Sequence, residues 1–222
     1  MEDFDDLISE VDIQDIVQIL ADGYDVNFQN ECGETLLMRA SSNGNLEAIA
    51  LLLENGANIN LIDMEGDSAL MYAASTEQWG AFRYLSLFTD KKTREFCLIG
   101  AAIEGNIQAI EILLDTDIDV DTCRQSGVWC ENGMTALMLA VQEGKFLAAK
   151  KLLESGANPN LCDEDTQKTA LMFAIENQSL DLVRLLVNAG ANLAVQDSYG
   201  NTPLMKARKL KNTEIVSFLD KL

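Results

Sequence analysis

A phrase of eight residues recurs five times along the chain, and it constrains the fold more than any other feature of the sequence. "GETLLMRA" at residues 33–40 returns as "GDSALMYA", "GMTALMLA", "QKTALMFA" and "GNTPLMKA". The phrases end at Ala40, Ala73, Ala140, Ala174 and Ala207, which are 33, 67, 34 and 33 residues apart. A phrase that returns at a fixed spacing of this size indicates a repeat architecture.

Two degenerate copies complete the array. Residues 96–114, "FCLIGAAIEGNIQAIEILL", align with residues 35–53, "TLLMRASSNGNLEAIALLL", and place Ala101 opposite Ala40. Residues 8–20 align with residues 41–53 and place Leu7 at the same position. We therefore predict a single domain over 1–222 with seven units, at about 1–29 (an N-terminal cap), 30–62, 63–90, 91–123, 130–162, 163–196 and 197–222 (a C-terminal cap), and an enlarged loop at 124–133.

Each unit is predicted to form two short helices. The first begins at an N-cap hydroxyl, namely Thr35, Ser68, Thr135, Thr169 or Thr202. The second carries apolar residues at helical spacing and stops at a glycine, as in "NGAN", "SGAN" and "AGAN". Such a pair cannot bury its apolar faces alone, but a stack of three or more pairs can. The sequence thus predicts an all-α solenoid.

These residues resemble the ankyrin repeat. "TPLMKA" at 202–207 is similar to that family's T-P-L-H-x-A phrase, and "LLLENGANIN" at 51–60 is similar to its repeat ending. The resemblance covers nearly the whole chain and implies short β-turn fingers between helix pairs. It also implies protein binding through the turn tips and the exposed face of the first helices. By repeat position, the implied binding residues are Glu31, Glu34, Ser42, Asn43, Met64, Glu65, Asp67, Ser75, Thr76, Ile103, Glu104, Met134, Gln142, Glu143, Glu176, Asn177, Ser198 and Tyr199.

Methionine replaces the family's usual histidine in all five phrases. Because methionine is a flexible apolar filler, we expect these side chains to be buried against the neighbouring unit, and some hydrogen bonding between turns to be lost. The five are Met38, Met71, Met138, Met172 and Met205.

Two irregular junctions break the period. Ala73 and Ala101 are 28 residues apart, which predicts a missing or stunted finger at "TDKKTRE", residues 89–95. Ala101 and Ala140 are 39 residues apart, and the extra residues fall in "CRQSGVWCENG", residues 123–133. Trp129 in this loop is either presented as a binding anchor, since tryptophan is enriched at binding hot spots, or folded back onto the solenoid. Cys123 and Cys130 flank it and would close a disulfide ring in an oxidising compartment.

The charge points to the partner. The net charge is −20, and residues 1–38 hold eleven acids and no base. This surface repels nucleic acid and anionic membranes, so a protein with a basic surface is the expected partner of a chain that is monomeric when free. The acidic start lacks the features of a secretory signal, which predicts a cytoplasmic protein, or a periplasmic or secreted one if a signal has been removed.

Enzymatic chemistry finds little support in the sequence. The chain has no histidine, the commonest general base and metal ligand, and it has no Cys-x-x-Cys pair. We predict no catalytic residue, no cofactor and no metal.

"DTDIDVD" at 115–121 resembles the start of a calcium loop, but Asp119 and Asp121 also match Asn58 and Asn60 of the repeat ending. We favour the interpretation as a repeat ending. The predicted function is a non-enzymatic binding module, a scaffold or a stoichiometric inhibitor. An enzyme using Cys97 or a carboxylate pair is the alternative.

Overall fold

The computed structural model describes residues 13–123 and 133–222, where helices joined by turns make up the regular secondary structure. Thirteen helices lie in the described residues, and the only β-structure among them is three isolated bridges, Ile62–Ser68, Cys123–Thr135 and Cys162–Thr169. The all-α solenoid expected from the repeats is confirmed. The chain divides into two compact units, Met1–Cys97 (unit 1) and Leu98–Leu222 (unit 2).

Unit 1 contains five complete helices and the start of a sixth. They are α1 (Ile13–Ala21), α2 (Leu36–Ser42), α3 (Leu46–Glu54), α4 (Ala69–Ser75), α5 (Trp79–Ser86) and the first half of α6 (Lys91–Glu104). The first helix α2 packs on its own second helix α3 and on the next first helix α4, and α4 packs on its own second helix α5. The second helices α1, α3 and α5 stack in the same order. This nearest-neighbour packing is that of a solenoid.

Unit 2 continues the pattern with seven more helices after the end of α6. They are α7 (Ile107–Leu114), α8 (Ala136–Gln142), α9 (Phe146–Glu154), α10 (Ala170–Glu176), α11 (Leu180–Asn188), α12 (Pro203–Lys209) and α13 (Thr213–Leu219). The first helices α8, α10 and α12 stack on one another, and so do the second helices α7, α9, α11 and α13.

The N-caps of the first helices are only partly as predicted. The Thr35, Thr135 and Thr202 hydroxyls each accept the backbone N–H three residues on, which satisfies an end group of the helix. Ser68 and Thr169 hold the cap position with extended backbone but make no such bond, and their buried hydroxyls find no partner among the described residues. The expectation of a side-chain cap was wrong at these two positions.

A left-handed residue follows most of the described helices. Gly56, Gly156 and Gly190 follow the second helices at φ of 85°, 93° and 88°, as predicted. Between the two helices of a pair, Gly144 has φ 68°, whereas Gln178 holds the equivalent position at φ 55°. A side chain at positive φ costs free energy that glycine avoids.

The phrase-ending alanines lie at the centre of the stack. Ala40, Ala73, Ala140, Ala174 and Ala207 are all fully buried. A larger side chain there would clash, because protein interiors are close-packed.

The burial of each phrase methionine depends on the helices packed against it. Met38, Met138 and Met172 are buried as predicted, and Met71 is half-buried. Met205 is 54% exposed, so the expectation of burial was wrong there. The reason is that α12 packs against α10, and no further first helix covers its other side among the described residues. The Met38 Sδ accepts the Thr35 N–H at 3.3 Å, a local bond at the start of α2.

The missing finger is confirmed. Only residues 87–90 separate α5 from α6, whereas residues 55–68 separate α3 from α4. Asp90 caps α6 directly, because its carboxylate accepts the Thr93 N–H at 2.9 Å. The enlarged loop, with Trp129 and Cys130, lies outside the described residues.

A ladder of Asn and Asp side chains joins successive repeat endings. The Asn27 Oδ1 accepts the Asn58 N–H at 2.6 Å, and the Asn160 Oδ1 accepts the Asn192 N–H at 2.7 Å. Asp121 takes the same place and accepts the Asn158 N–H at 2.9 Å. The reading of "DTDIDVD" as a repeat ending is thereby confirmed. No cluster of three or more metal-ligating side chains occurs in the described ranges.

Candidate partner-binding surface

The fingers, defined as the turns that precede the first helices, are built around one Asn or Asp each. In unit 1 the Asn30 Oδ1 accepts the Cys32 and Glu34 N–H groups at 3.0 and 2.8 Å. The Asp63 Oδ1 accepts the Glu65 and Asp67 N–H groups at 2.9 and 2.8 Å. These bonds fix the turn from within and leave its tip facing outward.

Neighbouring fingers of unit 1 are also bonded to each other. The Met64 N–H donates to the Cys32 carbonyl at 3.0 Å, and the Gln29 amide donates to the Ile62 carbonyl at 2.9 Å. A Cβ at Gly33, which has φ 84°, would lie 3.0 Å from the Met64 nitrogen. The close approach therefore requires glycine, and it holds the two tips in fixed register.

Most of the predicted binding residues lie at the surface. Met64 and Tyr199, at finger tips of unit 1 and unit 2, are 80% and 78% exposed. The other exposed members are Glu31, Asn43, Glu65, Ser75 and Thr76 in unit 1, and Glu104, Gln142, Glu143, Asn177 and Ser198 in unit 2. Ser42, Asp67 and Ile103 are half-buried. Partner binding at these positions remains a prediction.

Met134 is buried, which corrects its placement at the surface. It directly precedes the cap residue Thr135, as Asp67 precedes Ser68. That position points toward the stack rather than outward, whereas the tip residue Met64 lies four residues before its cap.

Glu34 is engaged within the fold. Its carboxylate lies 2.7 Å from the Arg39 guanidinium and accepts the Tyr72 hydroxyl at 3.0 Å. The same hydroxyl lies 2.8 Å from the Asp63 Oδ2. Burial, reinforced by hydrogen bonds to the two carboxylates, raises the pKa of Tyr72 well above its usual range. This cluster ties α4 to two fingers, so Glu34 supports the tips more than it presents charge.

Two predicted binding residues of unit 2, Asn177 and Glu176, also make bonds within the fold. The Asn177 amide donates to the Val141 and Gln142 carbonyls at 2.8 and 2.7 Å, and so caps the end of α8. Glu176 lies 2.7 Å from the Lys206 ammonium and 3.1 Å from that of Lys168.

Asp197 is the buried counterpart of Asp63 in unit 2. Its carboxylate accepts the Tyr199 and Asn201 N–H groups at 3.0 and 2.8 Å and lies 3.0 Å from the Lys206 ammonium. Burial alone would raise the pKa of Asp197, but the hydrogen bonds from Asn201 and Lys206 outweigh it and lower the pKa to about 2. Asp197 is therefore an ionised structural centre.

The finger centres escaped the sequence analysis, although a signal for them exists. Asn30, Asp63 and Asp197 each lie five residues before the hydroxyl that caps the next helix, and Asp163 lies six before Thr169. An Asx side chain at a fixed distance before a cap predicts a turn that it closes itself.

The Cys97 thiol lacks the environment of a nucleophile. It is buried, and that burial, together with the charges of Asp67 and Asp90, raises its pKa to about 12. Because the thiolate is the reactive form, this thiol is unreactive near neutral pH. Trp129 and Cys130 lie outside the described residues, so a ring with Cys123 stays a prediction.

Comparison with known proteins agrees with this architecture. A family described as "Ankyrin repeats (3 copies)" matches residues 8–95, 86–163 and 148–221. The chain belongs to the ankyrin-repeat family. This family consists of protein–protein interaction modules.

Curated relatives are longer proteins of varied kinds. An L-asparaginase from Dirofilaria immitis is 30% identical over 84% of this chain and 31% of its own length. Ankyrin repeat domain-containing protein 63 from Mus musculus is 35% identical over 57% of this chain and 32% of its own length. The potassium channel AKT2/3 from Arabidopsis thaliana is 32% identical over 57% of this chain and 15% of its own length. The chain thus spans about a third or less of the length of these relatives.

Solved structures share the fold. The ankyrin repeat domain of Bcl-3, described as a unique member of the IkappaB protein family, has a TM-score of 0.78 over 91% of this chain and 90% of its own. The human ASB11 ankyrin repeat domain has a TM-score of 0.67 over 87% and 86%. Both are 24% identical in sequence. None of the helices in the described part of the chain is long and apolar enough to cross a membrane.

Proposed function

We propose that this ankyrin-repeat chain is a non-enzymatic module that binds one target protein stoichiometrically, as a scaffold or an inhibitor, through its finger tips and the exposed ends of its first helices. The target has a basic surface. The free chain is a monomer.

The finger tips of unit 1 carry this proposal. Glu31, Met64 and Glu65 are exposed, while the polar backbone around them is already bonded to Asn30, Asp63 and the neighbouring finger. The tips therefore offer one exposed apolar side chain and two exposed carboxylates on a rigid support. Because the tips are already ordered, this chain loses little conformational entropy when a partner binds them.

The charge supports a basic target. A net charge of −20 raises the encounter rate with a positive surface, and charged tips at the rim orient the complex. The unreactive Cys97 thiol supports a binding role over the enzymatic alternative.

The test begins with capture of the target on the immobilised chain and determination of the stoichiometry by light scattering. Glu31→Lys combined with Glu65→Lys should then weaken binding by about tenfold or more. The control is Glu47→Lys combined with Glu54→Lys on α3, which makes the same change in net charge at exposed positions away from the tips. If both pairs weaken binding equally, the effect is one of net charge and the finger tips are not the site. If substrate turnover appears without a stable 1:1 complex, the binding proposal fails.

A further inference from the structure

The junction between α5 and α6 ends a second helix in an unusual way. Other second helices end at Asn55–Gly56, Ser155–Gly156 and Ala189–Gly190, which are small or polar. At the end of α5 the corresponding residues are Leu87 and Phe88, and their exposed fractions are 66% and 56%. Two adjacent large apolar side chains in water make no contribution to the core.

These side chains rest on a rigid support. The Phe88 and Tyr84 rings lie 5.2 Å apart between centroids. In the same turn, the buried Arg94 guanidinium donates from Nη1 to the Ser86 and Thr89 carbonyls at 3.0 and 2.8 Å. Arg94 thereby joins the start of α6 to the end of α5, and the turn between them is fixed.

The surroundings are basic, in contrast to the rest of unit 1. Among residues 13–97 the bases are Arg39, Arg83, Lys91, Lys92 and Arg94, and four of these five fall within residues 83–94, where Asp90 is the sole acid. Lys91 is half exposed and lies 3.7 Å from Glu95, a long and weak pairing. Lys92 is exposed and has no ion pair with any described residue.

We propose that the junction patch, defined as Tyr84, Leu87, Phe88, Lys91 and Lys92, binds an acidic amphipathic segment of a partner protein. Leu87 and Phe88 take the apolar side chains of that segment. Lys91 and Lys92 follow Leu87 and Phe88 three to five residues along the chain and pair with the carboxylates of that segment. An anchor of apolar contacts with charges at its rim is the usual arrangement for recognition of such a peptide.

The junction patch is independent of the finger tips and opposite to them in charge. A chain with both surfaces would hold a basic protein at its tips and an acidic segment at the junction. Nucleic acid is a poorer occupant, because the net charge of −20 opposes a long phosphate backbone, whereas a short peptide contacts only the local basic surface.

The probe is a fluorescent peptide of about twelve residues with Phe and Leu at positions i, i+4 and i+7 and Asp or Glu elsewhere. Its anisotropy is measured with the full chain at about 0.15 M salt, where the Debye length is about 8 Å. Peptides with serine in place of the apolar residues, or lysine in place of the acids, should each bind at least about tenfold more weakly. Raising the salt should weaken binding, because it screens the attraction between the lysines and the carboxylates of the peptide.

Two variants test the patch itself. Leu87→Asp, and Lys91→Glu combined with Lys92→Glu, should each weaken binding by about tenfold or more. The matched controls are Leu147→Asp, at a residue that is 64% exposed on α9, and Lys209→Glu combined with Lys221→Glu in unit 2. They should leave the affinity within about twofold. Glu31→Lys with Glu65→Lys should also leave it unchanged, which separates this proposal from the one on the finger tips.

Three results would overturn the proposal. The first is no binding of the acidic peptide up to about 1 mM. The second is equal loss of affinity in the patch variants and their controls. The third is preferential binding of a single-stranded oligonucleotide over the peptide. If a patch variant fails to fold, as judged by circular dichroism, the comparison of the three peptides on the unaltered chain decides the matter.

Discussion

The Lys206 ammonium lies 3.0 Å from the Asp197 carboxylate, whose side chain is completely buried. Lys206 also lies 2.7 Å from Glu176, so one cation joins a finger to the end of the preceding first helix. Removal of a partner from such a buried arrangement leaves a charge without compensation, which costs far more than the loss of a surface ion pair.

Asp197 makes the stability of unit 2 sensitive to acid. Its pKa is lowered from 3.8 to about 2 in the folded chain. A lowered pKa contributes stability that is complete above the unfolded value and is lost as the pH falls through the folded value. We therefore expect a loss of about 2 kcal/mol between about pH 4 and pH 2 from this group. Urea unfolding followed by circular dichroism across that range measures it.

Asp197→Asn should cost about 2 kcal/mol or more near neutral pH and should remove this part of the acid dependence. Asp165→Asn, at an exposed residue of the finger before α10, is the control and should change stability by less than about 0.5 kcal/mol. An unchanged acid transition in Asp197→Asn would show that other carboxylates cause it.

The Asn–Asp ladder predicts a reciprocal pair of effects. The Asn160 side chain both accepts the Asn192 N–H and donates to the Gly190 carbonyl at 3.2 Å, as Asn27 does to Gly56. Asp121 accepts the Asn158 N–H but as a carboxylate has no donor for the next carbonyl. Asp121→Asn should therefore stabilise the chain by about 0.5–1 kcal/mol, and Asn160→Asp should destabilise it by a similar amount.

Denaturant midpoints of the two variants, measured side by side, test this. The two changes alter the net charge by one unit in opposite directions, so a general effect of net charge on stability would also shift the two midpoints in opposite directions. High salt distinguishes the two causes, because it screens the effect of net charge and leaves the effect of the hydrogen bond in place. Shifts of the same sign in both variants would contradict the ladder.

The fold was readable from the sequence because its determinants are local. A hydroxyl at Thr35, a glycine at Gly56 and apolar spacing between them each act within one or two helical turns. The missing finger at residues 87–90 was also readable, since it follows from counting residues between phrases.

The binding surface was harder to predict from the sequence, because whether a residue is exposed or bonded depends on the neighbouring unit. Asn177 matches Asn43 in position and both are exposed, yet the Asn177 amide is bonded to the carbonyls at the end of α8. Met134 is buried because it holds the position before the cap rather than the tip. For Asn177 no local pattern predicts the bonds, because the Val141 and Gln142 carbonyls lie 36 and 35 positions earlier in the chain.

The methionines provide a direct test of that dependence. Met172 in α10 is fully buried and Met205 holds the same position in α12 with 54% exposure. Met172→Ala should cost about 2–5 kcal/mol by leaving a cavity between stacked helices. Met205→Ala should cost less than about 1 kcal/mol. Equal losses, measured by thermal or urea unfolding, would mean that Met205 is covered in solution by something outside the described residues.

The turn between paired helices offers a way to stabilise the chain. Gln178 has φ 55°, in the left-handed region where an L side chain costs about 1–2 kcal/mol, whereas Gly144 holds the same position in the preceding pair at φ 68°. Gln178→Gly relieves that cost but adds about 0.5–1 kcal/mol of conformational entropy to the unfolded chain. The net expectation is a gain of up to about 1 kcal/mol, seen as a higher urea midpoint at unchanged slope.

Gly144→Ala is the matched control, because a Cβ there meets nothing within 4 Å and so reports backbone strain alone. It should destabilise the chain by about 1 kcal/mol. If Gln178→Gly is instead destabilising while Gly144→Ala behaves as expected, the Gln178 side chain makes a favourable interaction that outweighs its backbone strain.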